Sequence, residues 1–321
     1  MAQRFEPIGG CVLTPEFKPL FTNPDVLTVL GNYWPRKYDW GPFPVESRLI
    51  RTAPDVEVLV QTQRPLVSPR GELVLLHGLE GSGESGYMLS LSHRALHSGF
   101  AVHRFHMRTC GGTERLCNTL YHAGLTSDLL IFLQQEPHHE KLFLIGFSLG
   151  GNVALKAAGE TGTSLLSGVV SVNTPIDLAA CSRCIQTPRN RMYQDRFAGR
   201  MKDRLLRTGR YVKSDLQGCR TVWDIDDKIT APSFGFRNAA HYYETQSALR
   251  FVPHIEVPVL MIAAQDDPLV PFDSYHDPVL AANPRIQLVA PRHGGHLGFL
   301  SRKPPRFWSD EVIANWLERH I

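Results

Sequence analysis

No apolar stretch in this chain approaches the roughly 20 residues needed to cross a bilayer. The longest runs, such as Val257 to Ala264, are far shorter. Met1 to Gly10 is polar and lacks the apolar core of a secretory signal. The expectation is a soluble, cytoplasmic protein with no integral membrane segment, open at most to peripheral lipid contact. Charge of one sign is also missing. The 34 Lys and Arg nearly balance the 31 Asp and Glu, and no run of five or more like charges occurs. A basic nucleic-acid footprint is therefore absent, and no nucleic-acid partner is expected. Cysteine is sparse, with six residues in 321, at Cys11, Cys110, Cys117, Cys181, Cys184 and Cys219. Without an export signal these read as free thiols. Cys181 and Cys184 form a CxxC, but no second CxxC stands at zinc spacing. That pair reads as small residues on a packed helix rather than as a redox or zinc motif. Repeats and low-complexity tracts are absent too.

What is present is a globular composition, 43% hydrophobic and 20% charged. Residues 1 to about 68 are rich in Pro and aromatics. They read as an N-terminal extension with opening antiparallel strands, one over Val56–Gln61. From Gly71 the pattern changes. A short continuous apolar run marks a strand buried on both faces at Leu73–Leu76, and further strands read at Phe100–Phe105, Leu142–Ile145, Gly168–Val172, Val257–Ala263 and Ile286–Val289. Helical runs alternate with them at Leu89–His97, Thr126–Gln135, Asn152–Ala158 and Phe307–Arg319. This alternation predicts a single α/β domain with a mostly parallel, doubly wound sheet. Between about residues 176 and 252 the alternation stops, and a helical insertion acting as a cap is expected there.

Gly146-Phe147-Ser148-Leu149-Gly150 carries the chemistry. A GxSxG pentapeptide says little alone, but here an apolar strand enters it and a helix-forming run leaves it. That context is a nucleophile elbow. The glycines let a sharp turn fit between strand and helix, lifting the Ser148 hydroxyl to the C-terminal edge of the sheet. The helix N-terminus behind it favours negative charge at the reacting atom. A tetrahedral intermediate needs donors at its oxyanion. The backbone N–H of Leu149 is one, and Leu79 in the loop His77-Gly78-Leu79 is assigned the other. His77 precedes the serine, so chain order gives it a structural role, holding that loop. The glycines at 81 and 83 lack the Lys and Ser/Thr of a phosphate-binding loop.

The acid is expected after a later strand, where Asp266 and Asp267 compete. Asp267 is favoured because it stands four residues before Pro271, and Asp266 is assigned to hydrogen bonds with nearby backbone N–H groups of the turn. The base is expected after the last strand, in Pro291-Arg292-His293-Gly294-Gly295-His296. Glycines flank His296, but spacing alone leaves His293 as a rival. Asp226 and Asp227 could suggest a metal pair, but no further carboxylates stand at ligand spacing, which favours a structural role.

These segments together resemble the AB hydrolase 4 family, which includes bacterial carboxylesterases, embryogenesis-associated hydrolases and yeast medium-chain ester synthases with esterase activity. The resemblance runs through His77-Gly78-Leu79-Glu80-Gly81, Cys110-Gly111-Gly112, Tyr121-His122-Ala123-Gly124 with Asp128, and the elbow. It continues through Pro175 to Cys181, Asp226-Asp227 with Thr230-Ala231-Pro232, Asp266-Asp267-Pro268 and Gly294 to Phe299. It implies the α/β-hydrolase fold, a Ser148–Asp267–His296 triad with the histidine after the Gly pair as base, and no cofactor or metal. It also makes Cys181 part of a family segment. The sequence departs from the family at Phe105-His106-Met107-Arg108-Thr109, where relatives carry Asn-Phe-Arg-Gly. The implied activity is hydrolysis of short- or medium-chain carboxylic esters, small molecules, through an acyl-enzyme. Alternatives with the same residues are an acyltransferase or ester synthase, or a phospholipase or thioesterase. From another class, a catalytically silent ligand-binding protein keeps the fold without the chemistry.

Overall fold

The structure is a computed structural model and describes residues 14–135, 138–161 and 165–321. Met1 to Gly10 and Cys11, read above, lie outside the described residues. Eight strands form one sheet: β1 (Glu46–Ala53), β2 (Val56–Gln63), β3 (Glu72–Leu76), β4 (Ala101–Phe105), β5 (Leu142–Phe147), β6 (Gly168–Val172), β7 (Val259–Ile262) and β8 (Ile286–Val289). Their spatial order is β1-β2-β4-β3-β5-β6-β7-β8. The hairpin β1–β2 is antiparallel and joins β4 antiparallel, while every pairing from β4 to β8 is parallel. The expected opening antiparallel strands and doubly wound sheet are both found.

Why the central strands read so clearly is visible in their burial. β3 to β7 are buried at every residue, whereas the edge strands β1 and β8 keep exposed or half-buried positions. Alternate residues serve two different cores. Val74, Leu76, Leu142 and Leu144 pack with Leu129 and Phe132 of α3 (Ser127–Gln135) and Val153 to Leu155 of α4 (Leu149–Thr161). On the other face Leu73, Leu75, Phe143 and Ile145 meet α2 (Gly86–His97) and the closing helix Trp308–Leu317. Each fully buried side chain of this size contributes roughly 1.5–3 kcal/mol.

Two segments differ from the simple alternation. The first helix, α1 (Pro24–Tyr33), lies inside the N-terminal extension, where no helix was anticipated. Asn23 caps it through a bond from the Val26 N–H, and Pro24 occupies its first turn. The second segment, between β6 and β7, is helical as expected. It holds α5 (Leu178–Ile185), α6 (Arg191–Arg207), two short helices at Val222–Ile225 and Ala231–Ser233, and Ala239–Gln246. A small core of its own, with Ala198, Met201, Leu205, Val222 and Ile225, holds α6 against the short turns.

Candidate active site

Ser148 follows β5 and precedes α4, at the junction the strand and helix patterns predict. Its φ is 52°, the strained left-handed region. The turn closes because Gly146 and Gly150 have no side chains. A Cβ on Gly146 would lie 2.3 Å from the Gly150 carbonyl oxygen, and one on Gly150 2.4 Å from that of Leu76. Any larger residue would push the helix away from β3 and β5.

Three expected residues converge. His296 Nε2 lies 3.0 Å from Ser148 Oγ, and its Nδ1 lies 2.8 Å from Asp267 Oδ2. The Asp267 side chain is 2% exposed and that of His296 11%. With its N–H directed at the carboxylate, the imidazole presents a lone pair to the hydroxyl. Such an arrangement can take a proton from an alcohol and return it to a leaving group.

Asp266 and His293 pair with each other instead, Nδ1 to Oδ2 at 3.0 Å, away from the serine. Asp266 also accepts the Gly295 N–H at 2.9 Å, which ties the His296 loop to the loop after β7. The expected division of labour between the aspartates is corrected in one respect. The nearby turn N–H groups, Leu269 and Val270, donate to Asp267 Oδ1 at 2.8 and 3.1 Å, so Asp267 itself orders that turn. Its position at the tip of the turn leaves Asp266 pointing across to the neighbouring loop.

The loop after β3 lies against Ser148: a Cβ on Gly78 would stand 3.1 Å from Ser148 Cβ. Leu79 and Leu149 both border the cavity at Ser148, and among the described residues their backbone N–H groups have no hydrogen-bond acceptor. His77 is fully buried. It accepts the Met107 N–H at Nε2 and meets the Gly78 carbonyl at Nδ1, 2.8 Å away. Burial pulls its pKa down to about 4, so it holds the loop as a neutral ring. Glu80 anchors the loop's far end, accepting from Arg204 at 2.8 Å, while Arg200 donates to its carbonyl at 2.6 Å. The departing segment after β4 is held by a buried ion pair, Arg108 to Asp128, at 2.5 Å.

Two supporting residues escaped the sequence reading. Asn173, beyond β6, donates its Nδ2 to Asp267 Oδ2 and to the Gly295 carbonyl, each at 2.6 Å. Thr28 of α1 accepts the His296 N–H at 2.8 Å through Oγ1 and donates to the Pro24 carbonyl. A polar residue closing an apolar strand was the only signal for Asn173. The Asn23-Pro24 cap was the only signal that Thr28 sits on a helix.

Cys181 and Cys184, on α5, direct their sulfurs at the Leu269 and Pro268 carbonyls, 3.4 and 3.5 Å away, so they pack the helix onto the Asp267 loop. The five described cysteines are free. Burial raises the Cys181 thiol far above its ordinary value, leaving it unreactive. Asp226 and Asp227 also serve local structure. Asp227 accepts the Ala239 N–H at 2.9 Å, and Asp226 accepts the Tyr243 hydroxyl at 2.6 Å. Burial pushes the Asp226 carboxyl up to about 6.

Two cavities meet at Ser148 and His296. One, of about 80 Å³, runs beneath the helical excursion, walled by Leu178, Ile185, Met201, Val222 and Leu269. The other, of about 410 Å³, opens between α1 and α6, bordered by Val29, Tyr33, Met192, Arg196 and Arg200. Among the described residues no helix is long and apolar enough to cross a membrane.

Residues 72–303 match the family model described as alpha/beta hydrolase fold. The Escherichia coli (strain K12) protein named "Putative esterase YheT" is 30% identical over 322 residues, covering 95% of this chain and 94% of its own. A Saccharomyces cerevisiae (strain ATCC 204508 / S288c) monoacylglycerol lipase is 28% identical over 263 residues, covering 77% of this chain but only 58% of its own. Among solved structures, the Pyrococcus furiosus esterase Pf2001 superposes with a TM-score of 0.57 at 17% identity, over 95% of this chain and 99% of its own. That last likeness is one of fold. With a family model spanning most of its length and a relative matched almost end to end, the chain belongs to the α/β-hydrolase fold family, in the company of esterases and lipases.

Proposed function

We propose that this chain is a serine carboxylesterase that hydrolyses short- or medium-chain carboxylic esters through an acyl-enzyme on Ser148. The observation that carries the reading is the unbroken line from Ser148 Oγ to His296 to Asp267, 3.0 and 2.8 Å, at the meeting point of two cavities. In this reading Ser148 Oγ attacks the ester carbonyl while His296 Nε2 takes its proton. The carbonyl oxygen, now negative, receives the N–H groups of Leu79 and Leu149. The alcohol leaves with the proton from His296. Water then enters, gives its proton to His296, and releases the acid. Asp267 keeps the imidazole in one tautomer and balances its charge when protonated.

The helical excursion acts as the cap of the acyl side. Its apolar walls and modest space support a short or medium acyl chain. The larger cavity takes the alcohol. Exposed Val29, Tyr33 and Met192 at its rim favour a lipid-like alcohol brought in from a surface. Its width supports a second reading as well, in which an alcohol replaces water and the product is a new ester.

Labelling with a fluorophosphonate probe, comparing wild type with Ser148→Ala, tests the proposal beside a p-nitrophenyl ester chain-length series. Labelling that disappears in the variant, with turnover of short or medium esters, is the expected result. A well-folded wild type that neither labels nor turns over any ester would make the chain a silent binding protein. Turnover in added ethanol that yields ethyl ester instead of acid would favour the acyltransferase reading.

A further inference from the structure

The opposite end of the sheet carries a second convergence of chemistry-bearing side chains, apart from the elbow. Glu72 is the first residue of β3, His103 lies within β4, and His138 precedes β5. Glu72 starts β3 and His138 precedes β5, paired parallel strands whose C-terminal ends carry the Ser148 loops, so the cluster sits at the N-terminal edge. His103 Nε2 and His138 Nδ1 both point at Glu72 Oε2, 3.3 and 2.7 Å away. One ligating atom from each residue lies within 4.8 Å of the other two. The three side chains are 9% exposed or less.

From this geometry we infer that Glu72, His103 and His138 form a binding site for a divalent transition metal, of which zinc is the type. Two imidazoles and one carboxylate are a donor set that such ions take up. With bonds of about 2.0–2.1 Å, ligand atoms at tetrahedral angles stand about 3.3 Å apart; the His103–Glu72 edge is already formed, the Glu72–His138 edge opens by about 0.6 Å, and the His103–His138 edge lies within 4.8 Å. The rings face each other nearly at right angles, 85°, with centroids 5.6 Å apart, which lets both aim at one point without stacking.

The surroundings supply a partner to one of the two ligating histidines. Thr62, directly opposite His103 on β2, places its hydroxyl 2.9 Å from His103 Nδ1. Its oxygen can accept a hydrogen bond from Nδ1–H when Nε2 takes the metal, and so fixes the ring. On His138 the proton moves to Nε2, a buried atom that finds no hydrogen-bond partner. A cavity of about 40 Å³ borders the three residues, with room for a water as fourth ligand. Glu46 also lines it and adds negative charge. Arg48 and Arg64 line it as well and lower the affinity the three ligands would otherwise have. The ion would fasten the segment before β5 to the face of β2, β3 and β4, a structural rather than catalytic task.

The test uses the full chain, stripped with chelator and titrated with Co²⁺ and then Zn²⁺. The expected result is one Co²⁺ per chain with the visible bands of a tetrahedral site, displaced by Zn²⁺. Saturating Zn²⁺ should raise Tm by about 3–5 °C. Glu72→Gln and His138→Gln, each checked for fold by circular dichroism, should lose both the bands and the shift. His139→Gln, one position along, should keep them. A wild type with no cobalt bands and no zinc-dependent Tm overturns the inference and makes the cluster a hydrogen-bonded ion group. So do bands that persist unchanged in both the Glu72 and His138 variants.

Discussion

Asn173 and Asp267 share a bond of 2.6 Å in which the amide Nδ2 donates to the carboxylate oxygen that also faces His296 Nδ1. Asp267's second oxygen holds the Leu269 and Val270 N–H groups. All directions open to the carboxylate are therefore used, and it has no freedom to rotate. Asn173 is itself fixed, accepting the Ala264 N–H at 3.2 Å and holding the Gly295 carbonyl. One amide thus joins the Asp267 loop to the His296 loop.

Removing that amide should loosen the aspartate without removing it. Asn173→Gly is the informative change, because φ at this position is 46° and glycine adopts it freely. A hydrogen bond to a charged group is worth about 1.5–3 kcal/mol, so kcat should fall roughly 10- to 100-fold with KM little changed. Steady-state kinetics on the best p-nitrophenyl ester measure it. An unchanged kcat would mean that the backbone N–H groups alone hold Asp267.

The two histidines and the two aspartates predict a crossed result. His296→Ala should abolish turnover, and His293→Ala should not. Asp267→Asn should cost about 10⁴-fold in kcat through loss of the correct tautomer. Asp266→Asn breaks the tie to Gly295 and His293 and should lower activity only several-fold. Full activity in His296→Ala would remove it as the base, and a greater loss in Asp266→Asn than in Asp267→Asn would reverse the choice of acid.

What the chain disclosed before folding follows from how local each signal is. β3 to β7 are buried on both faces, so runs such as Leu73–Leu76 are apolar at every position and stand out without context. The elbow is equally local, since strand, glycines, serine and helix are contiguous. Asn173 is different. Its importance comes from the meeting of residues 94 and 122 positions away, and nothing beside it announces them. α1 failed for another reason. Only Leu27 and Gly31 of its ten residues are buried, so its sequence shows no apolar stripe of the usual width.

That helix nonetheless holds His296. Thr28 Oγ1 receives the His296 N–H, and replacing it with Val keeps the shape while removing the acceptor. A neutral bond of about 1 kcal/mol should appear as a roughly fivefold loss in kcat and in the rate of fluorophosphonate labelling. Thr28→Ser should restore both. Equal rates in Thr28→Val and wild type would show that Asp267 alone orients the ring.

Asp310, on the closing helix, predicts a pH dependence of stability separate from catalysis. Burial pushes its carboxyl up to about 7, against the opposing pull of the Ser90 hydrogen bond and of Arg36. The folded chain therefore keeps a proton that the unfolded chain releases above pH ~4. Between those values the native state binds more protons, and this contribution to stability falls as pH rises, fully present below pH ~4 and gone above pH ~7. Asp310→Asn stays neutral throughout. Thermal melts should match at pH 4 and diverge by pH 8, the variant being more stable by about 2–4 kcal/mol. Parallel Tm curves for the two proteins would show that the carboxyl is ionised in the fold.

The proposed acyl side offers a prediction about size. Ile185 and Met201 wall the smaller cavity from α5 and α6, and both are buried. Truncating either to Ala adds space near the end of an acyl chain without touching Ser148 or His296. One methylene in an apolar pocket is worth about 1–3 kcal/mol in specificity. Ile185→Ala should therefore move the preferred p-nitrophenyl ester to a longer chain, with kcat/KM on the next longer homologues rising about tenfold relative to the shortest. Because Ile185 also packs α5, the melt should drop by the cost of a large-to-small change, about 2–5 kcal/mol. A lower melt with an unchanged chain-length profile would place the acyl group in the wider cavity between α1 and α6, and the alcohol beneath the helical excursion.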